Sequence, residues 1–239
     1  MTEAAIIFND VNKDYGRQKV LSDVNLRVYQ GEAVGLIGVN GAGKTTLIKC
    51  LLDFVALTSG DIKLFGTPHL NTDARGSLSF LPEKFLPPYY LAGEKFLTYM
   101  AELNQIEISP ADMKRVCDSV DLDVSALQKP VRQYSKGMAQ KLGLASCFLS
   151  QRPMLILDEP MSGLDPKARA YLKRHLISLK DAGKTLFFST HLLADVESIC
   201  DRIIILHEGS VNFNGTPEDC CEEFKAHSLE EAYLKCIGA

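Results

Sequence analysis

Hydrophobic and polar residues alternate along the first part of the chain. Every second residue from Val20 to Val28 is apolar except Ser22. Apolar residues also recur at Ile6–Phe8 and Val11. A period of two is typical of strands with one buried face. Two more short strands are predicted at Asp61–Phe65 and Leu78–Leu81, which are bounded by glycine and proline. The first third of the chain is therefore predicted to be mainly β-structure.

The hydrophobic period becomes helical between about residues 93 and 149. Apolar residues three and four positions apart predict a helix that ends near Asn104, and they are Phe96, Leu97, Met100 and Leu103. Ser109 followed by Pro110 predicts the start of another helix, because serine caps a helix and proline is favoured at its first position. We therefore expect a helical insert in this part of the chain.

Short apolar runs separated by helical segments follow the insert. The runs Met154–Leu157, Leu186–Ser189 and Ile203–Leu206 predict strands buried on both faces, as in a parallel sheet. The elements predicted around them are helices over residues 166–182 and 193–200, an edge strand at Val211–Phe213 and two C-terminal helices.

Together these elements predict an α/β fold with a mostly parallel sheet, an N-terminal antiparallel β part and an inserted α-helical subdomain. We expect a single domain over residues 1–239. Its core would comprise residues 1–84 and 151–215, its helical subdomain residues 85–150 approximately, and its C-terminal helices residues 216–239 approximately.

Composition narrows the possible classes of protein. The 239 residues are 46% hydrophobic and carry a formal net charge of −4, so no overall basic field favours nucleic acid as a partner. No secretory signal is visible at the start, and no apolar run approaches the roughly 20 residues of a membrane-spanning helix. The seven cysteines are odd in number and scattered, which argues against a disulfide framework. We expect a cytoplasmic protein.

The most informative segment is the glycine-rich run from Gly38 to Thr45, between a predicted strand and a predicted helix. This is the context of a phosphate-binding loop, whose glycines let backbone N–H groups point at an anion. Lys44 would supply a positive charge to the β- and γ-phosphates, and the Thr45 hydroxyl would ligate Mg²⁺. The alternative is a flexible turn before an ordinary helix. The segment predicts a P-loop NTPase core.

Two adjacent acids, Asp158 and Glu159, end a predicted buried strand. A carboxylate that faces Mg²⁺ belongs at such a position relative to a phosphate loop. Because neighbouring strand residues point in different directions, one acid can face the metal while the other faces the attacking water. A helix-capping acid pair is the weaker alternative, since Pro160 follows directly.

Further motifs resemble those of ATP-binding-cassette (ABC) ATPases. Residues 134–140 (YSKGMAQ) resemble the family's signature motif, residues 161–166 (MSGLDP) its D-loop, and Thr190-His191 its switch histidine. Order and spacing match from about Ile6 to Phe213.

The resemblance implies a role for each matching residue, with ATP and Mg²⁺ as cofactors. Tyr15 would stack on adenine, or alternatively pack on the core. The phosphates would be held by Gly38, Asn40, Gly41, Ala42, Gly43, Lys44, Thr45 and Thr46. Ser135 and Gly137, at a helix start, would meet the γ-phosphate of ATP bound to another protomer.

The resemblance also implies the catalytic and metal-binding residues. Glu159 would orient or deprotonate water, His191 would contact the γ-phosphate, and Lys44 completes the catalytic set. His191 could alternatively be an ordinary core histidine. The implied metal ligands are Thr45, Asp158 and Glu83.

Two positions depart from the family pattern. Lys136 stands where the commonest signature has glycine, and Met138-Ala139 precede Gln140. Glu83 stands where the family usually has a glutamine, which adds negative charge near the phosphates while retaining an oxygen ligand. Both departures resemble the branch whose ATPases serve exporters of drugs, lipids or polysaccharides.

The resemblance implies partners as well. Two copies, or one copy and a related ATPase, would enclose two ATP molecules, and a separate transmembrane permease would carry the transport path. The protein would then lie peripherally on the inner face of the cell membrane. Residues 85–91, rich in aromatic residues and proline, would be the permease contact. Packing between the core and the helical subdomain is the alternative for these residues.

Two other functions remain open at this point. A soluble cassette ATPase acting on ribosomes or DNA is one, although the roughly ninety residues between Lys44 and Ser135 contain no sustained heptads. A nucleotide-dependent interaction module without catalysis is the other, and Glu159 and His191 argue against it.

Overall fold

The computed structural model describes residues 3–238, which form two sheets and eight α-helices in the described part of the chain. The larger sheet has the strand order β10-β9-β3-β8-β7-β6. Its strands are β3 (Ala33–Ile37), β6 (Leu78–Leu81), β7 (Met154–Asp158), β8 (Thr185–Thr190), β9 (Arg202–His207) and β10 (Ser210–Gly215). The strand pairs are parallel except for β9 with β10, and β10 lies at one edge.

The smaller sheet is antiparallel, with the order β2-β1-β4-β5. Its strands are β1 (Ala4–Tyr15), β2 (Gln18–Tyr29), β4 (Ser59–Leu64) and β5 (Thr67–Pro68). Strand β1 is longer than the hydrophobic pattern predicts, because its pairing shifts register between Phe8 and Val11, where Asp10 has a φ of +47°. Such a bulge breaks the alternation of apolar residues without ending the strand.

Besides three short 3-10 helices, eight α-helices complete the fold of residues 3–238. They are α1 (Lys44–Leu51), α2 (Gly93–Leu103), α3 (Pro110–Ser119), α4 (Lys136–Leu149), α5 (Pro166–Asp181), α6 (Leu193–Ile199), α7 (Pro217–Glu223) and α8 (Leu229–Cys236). Ser109 caps α3 in a capping box with Asp112, and Pro110 occupies the first helical turn, as predicted. The α/β class, the antiparallel N-terminal part and the parallel core are confirmed.

The larger sheet separates two hydrophobic cores. On one face, Val34 and Phe187 pack with α1 and the antiparallel sheet. On the other face, Ile37 and Phe188 pack with a set of helices that includes α4, α5 and α6. Neighbouring strand residues therefore face different cores, which explains why these strands are continuously apolar.

The parallel register brings the ends of four strands to one edge of the sheet. Ile37 pairs with Thr190, Asp158 with Ser189, and Leu81 with Leu157. The residues that follow β3, β6, β7 and β8 therefore meet at this edge, where ligands bind in open α/β sheets. No helix within residues 3–238 combines the length and the hydrophobicity needed to cross a membrane.

Candidate nucleotide-binding site

The glycine-rich loop connects β3 to α1, as predicted. Gly43 precedes α1 with a φ of +108°, and a Cβ there would lie 2.9 Å from Leu21 Cδ2. A Cβ on Gly38 would collide with the Leu206 carbonyl oxygen. Glycine is therefore required at both positions. Helix α1 has no acid in its first turn and no side-chain cap, so its first N–H groups and its dipole favour an anion.

Lys44 lies buried inside the loop that it follows. Its Nζ donates to the Gly38 carbonyl oxygen at 2.6 Å and lies 3.4 Å from Glu159 Oε1. The side chain is 6% exposed, so the ammonium is paired with acceptors and a carboxylate rather than with bulk solvent. An anion that enters the cleft meets this charge already in place.

Asp158 is held by two hydroxyl groups. Thr45 Oγ1 donates to its Oδ2 at 2.9 Å, and Ser189 Oγ donates to its Oδ1 at 2.5 Å. Burial raises the pKa of Asp158, the two hydroxyl donors oppose this, and the charges of Glu83 and Glu159 raise the pKa further. The carboxylate thus lacks a compensating positive charge, which a cation would supply.

The oxygen donors at Asp158 suit Mg²⁺. Thr45 and Asp158 already lie within hydrogen-bond distance of each other, and hard cations prefer carboxylate and hydroxyl oxygens. Within residues 3–238 there is no group of three or more His, Cys, Asp or Glu side chains arranged to hold a metal ion by themselves. A magnesium ion here would therefore share its coordination with nucleotide oxygens, as is usual for this metal.

Glu159 follows Asp158 and turns into the cleft. Its Oε2 lies 2.8 Å from His191 Nδ1, and its amide donates to Ser189 Oγ at 2.9 Å. Its Oε1 is buried and accepts no hydrogen bond, and it lies 3.4 Å from the Lys44 ammonium. One carboxylate oxygen is therefore engaged and the other is available to an incoming donor.

These residues surround a cleft of about 370 Å³. Its lining comprises Gln18, Val20, Val39, Asn40, Gly41, Gly43, Lys44, Thr45, Thr46, Glu83 and Glu159. Asp158 and His191 do not line it themselves and contact the lining residues Thr45 and Glu159. Tyr15 is absent from the lining as well. It ends β1 opposite Gln18, is 48% exposed, and has Lys13 Nζ 4.8 Å from its ring centroid. Its stacking on adenine stays a prediction.

Ser135 and Gly137 lie elsewhere in the chain's structure. Ser135 caps α4, accepts a hydrogen bond from the Met138 amide, and is exposed. It lines a second cleft of about 470 Å³ that begins at Glu83 and extends along residues 84–89 and 131–140. The predicted signature residues therefore do not join the phosphate loop of their own chain.

The structure adds residues that the sequence did not single out. Ser189 connects Asp158 to the Glu159 amide. Its signal in the sequence was a polar residue directly after the apolar run Leu186–Phe188. Gln18 and Val20 line the cleft, although the alternating pattern assigns Val20 only to a strand. His69 lies outside the cleft and is buried, with its Nδ1 3.1 Å from the Ile62 carbonyl oxygen.

The family to which the chain belongs follows from its match to a known protein family. The family described as "ABC transporter" matches residues 21–162, which is more than half of the chain. The chain belongs to the ABC transporter family. It is the ATP-binding ATPase domain of such a system, as the signature, D-loop and switch-histidine motifs predicted. The recognised family and the enzyme class are confirmed.

Individual ABC proteins resemble the chain over most of its length. An uncharacterised ABC transporter ATP-binding protein of Nostoc sp. is 40% identical over 231 residues, covering 91% of this chain and 68% of that protein. Nod factor export ATP-binding protein I of Rhizobium etli is 34% identical, and the match covers 98% of this chain and 75% of that protein. The solved structure of an ATP-binding subunit of an ABC transporter superposes with a TM-score of 0.87 and 33% identity, covering 97% of this chain and 99% of that one. The chain spans about two thirds of the length of the first curated relatives.

Proposed function

We propose that two copies of this chain, or one copy and a related ATPase, bind two MgATP between them and use hydrolysis to drive a separate membrane permease. The observation that carries the proposal is the division of the motifs in space. Lys44, Thr45 and Glu159 line one cleft, whereas Ser135 lies at a helix tip that borders another.

The residues of the cleft have distinct roles in this proposal. Lys44 exchanges its contacts with Gly38 and Glu159 for phosphate oxygens. Glu159 orients or deprotonates the attacking water through Oε1, the oxygen that accepts no hydrogen bond. His191 holds the other oxygen of Glu159 and contacts the γ-phosphate.

Thr45, Asp158 and Glu83 form the magnesium side of the cleft. Mg²⁺ held there would neutralise charge that develops on the transferring phosphate. Thr45 and Asp158 are pre-arranged by their mutual hydrogen bond. Glu83 lines both clefts, which supports a role that connects the metal side to the neighbouring surface.

The N-terminal tip of α4 supports the proposed dimer. This helix has a serine cap and no acid in its first turn, so its start favours an anion. The phosphate loop of the same chain lies in the other cleft and does not place a phosphate at this position. A second chain packed head to tail provides that anion as the γ-phosphate of its bound ATP. ATP then closes the dimer, and hydrolysis loosens it.

The permease contact is proposed for residues 85–91. Leu86, Tyr89 and Tyr90 are 88%, 69% and 68% exposed, and the two tyrosine rings pack edge to face with centroids 5.5 Å apart. Exposed aromatic side chains favour interfaces. The Nod factor export protein among the relatives supports a role in export, and we place the protein at the inner face of the cell membrane.

The experiment is Glu159→Gln, which keeps the shape of the side chain and removes its charge. We expect this variant to bind MgATP and to form a stable dimer, while phosphate release falls about 100-fold or more. Light scattering and a phosphate-release assay provide the two measurements. Glu107→Gln, at an exposed position between α2 and α3, is the matched control. Turnover near the wild-type value would remove Glu159 from its role.

A further inference from the structure

The first two turns of α4 pack against the turn segment, which we define as residues 160–165. A Cβ on Gly137 would lie 2.8 Å from the Gly163 carbonyl oxygen, so the two backbones approach closely. Lys141 Nζ lies 3.7 Å from Asp165 Oδ2. Positions 137 and 141 are four residues apart, and one face of α4 therefore makes these contacts.

Gln140 lies on the same face and is 4% exposed. Its Nε2 donates a hydrogen bond of 3.2 Å to the Pro160 carbonyl oxygen. Pro160 directly follows Glu159, so this bond fixes the peptide group just beyond the proposed base. A buried amide that loses its partner is costly, which makes the bond a firm restraint.

The backbone of Glu159 needs such restraints. Its φ is +50°, a left-handed conformation that costs a non-glycine residue about 1–2 kcal/mol. Ser189 holds the Glu159 amide from β8, and the Ser162 amide donates to the Glu159 carbonyl oxygen from within the turn segment. The bond from Gln140 restrains the next residue and comes from α4.

We propose that Gln140 is a positioning residue for hydrolysis. Through Pro160 it holds Glu159 in the orientation that places one carboxylate oxygen on His191 and the other toward the cleft. It acts through the backbone at Pro160 and takes no part in the bond changes themselves. The position of the Ser135 helix tip is thereby tied to the position of the base in the same chain. This inference rests on the proposed function, in which Glu159 acts on the attacking water.

The first test is Gln140→Met, which keeps a similar volume and removes the donor. We expect kcat for phosphate release to fall about three- to tenfold, because one net hydrogen bond that holds the base is lost. KM and the Kd for MgATP should stay within about twofold of wild type, since the lost bond is to the Pro160 backbone and not to the phosphate loop. Gln128→Met is the matched control, because it removes an exposed amide donor, bonded to Glu94 Oε2 at 2.7 Å, elsewhere in the insert.

The second test needs no turnover. In the nucleotide-free protein, amide hydrogen exchange over residues 159–165 should be faster in Gln140→Met and unchanged in Gln128→Met.

Two results would overturn the inference. They are a kcat within about twofold of wild type in Gln140→Met and unchanged exchange over residues 159–165. A wild-type chain that releases no phosphate would instead contradict the proposed function. The exchange comparison would still decide whether Gln140 holds the turn segment.

Discussion

The phosphate-loop cleft and the tip of α4 are built in opposite ways. In the cleft, Lys44, Asp158 and Glu159 are buried and are bonded to groups of their own chain. At the tip, Ser135 and Lys136 are exposed, and the first turn of the helix contains no acid. The cleft is therefore prepared to bind a ligand by itself, whereas the tip needs a second surface to complete it. Substitutions in the two regions should accordingly fail in different ways.

The largest effect is expected from Lys44→Ala. The change removes the charge intended for the phosphates and leaves the Glu159 carboxylate buried without a cation. We expect MgATP affinity to fall about 100-fold in the monomer, measured by titration calorimetry. Lys49→Ala, one turn further along α1 and exposed, is the control and should bind normally. Equal affinities in the two variants would contradict the assignment of Lys44.

The Ser135→Asp variant tests the other region. Aspartate retains the helix cap and places a negative charge where the partner's γ-phosphate is proposed to bind. We expect monomer affinity for MgATP to remain unchanged, while ATP-dependent dimerisation and phosphate release fall about tenfold or more. Ser135→Asn keeps the cap without the charge and should retain most activity.

Dimerisation is best measured in the Glu159→Gln background, in which we expect bound ATP to remain unhydrolysed. A Ser135→Asp chain that still dimerises with wild-type affinity would show that the tip does not face a phosphate. It would also remove the contrast between the two regions.

The location of the cleft residues could be predicted from the sequence, whereas the hydrogen bonds that hold them could not. Each motif residue follows a short apolar strand, and the parallel register brings those strand ends together, so Lys44, Asp158, Glu159 and His191 could be placed at one edge. The contacts of Ser189 with Asp158 and Gln140 with Pro160 join residues 20 to 31 positions apart. They depend on side-chain packing, which hydrophobic periodicity does not encode. The expected division into core and helical subdomain, and the roles of Tyr15 and Ser135, stay predictions.

A narrower effect is expected from Tyr89→Ala combined with Tyr90→Ala. Both rings are exposed, so their removal should leave basal phosphate release within about twofold of wild type. Transport by the assembled permease complex in vesicles should fall, because the coupling surface is lost. Tyr99→Ala, an exposed tyrosine on α2, is the control. An equal loss of both activities would count against docking at residues 85–91.

The smallest effect is expected from Glu83→Gln, which alters the charge around Asp158. Burial is the main cause that raises the pKa of Asp158, and the Glu83 charge adds to it. Because a cation ligand must be deprotonated, metal-dependent activity should decline as pH falls through this raised pKa. Removal of the Glu83 charge lowers the pKa of Asp158 toward its ordinary value. The acid limb of the kcat profile should then move to lower pH, in the direction of greater acid tolerance.

The same shift has a consequence for stability. A carboxyl whose pKa is higher in the folded state than in the unfolded state destabilises the fold above that pKa, and the penalty is relieved as pH falls. Glu83→Gln should therefore raise the melting temperature of the nucleotide-free protein slightly at pH 8 and have less effect at pH 5. Thermal melts at the two pH values, with Glu107→Gln as the control, measure this directly. An acid limb that moves to higher pH would contradict this expectation. It would mean that Glu83 contributes more to cation binding than it raises the pKa of Asp158, so that two carboxylates, Glu83 and Asp158, hold the metal.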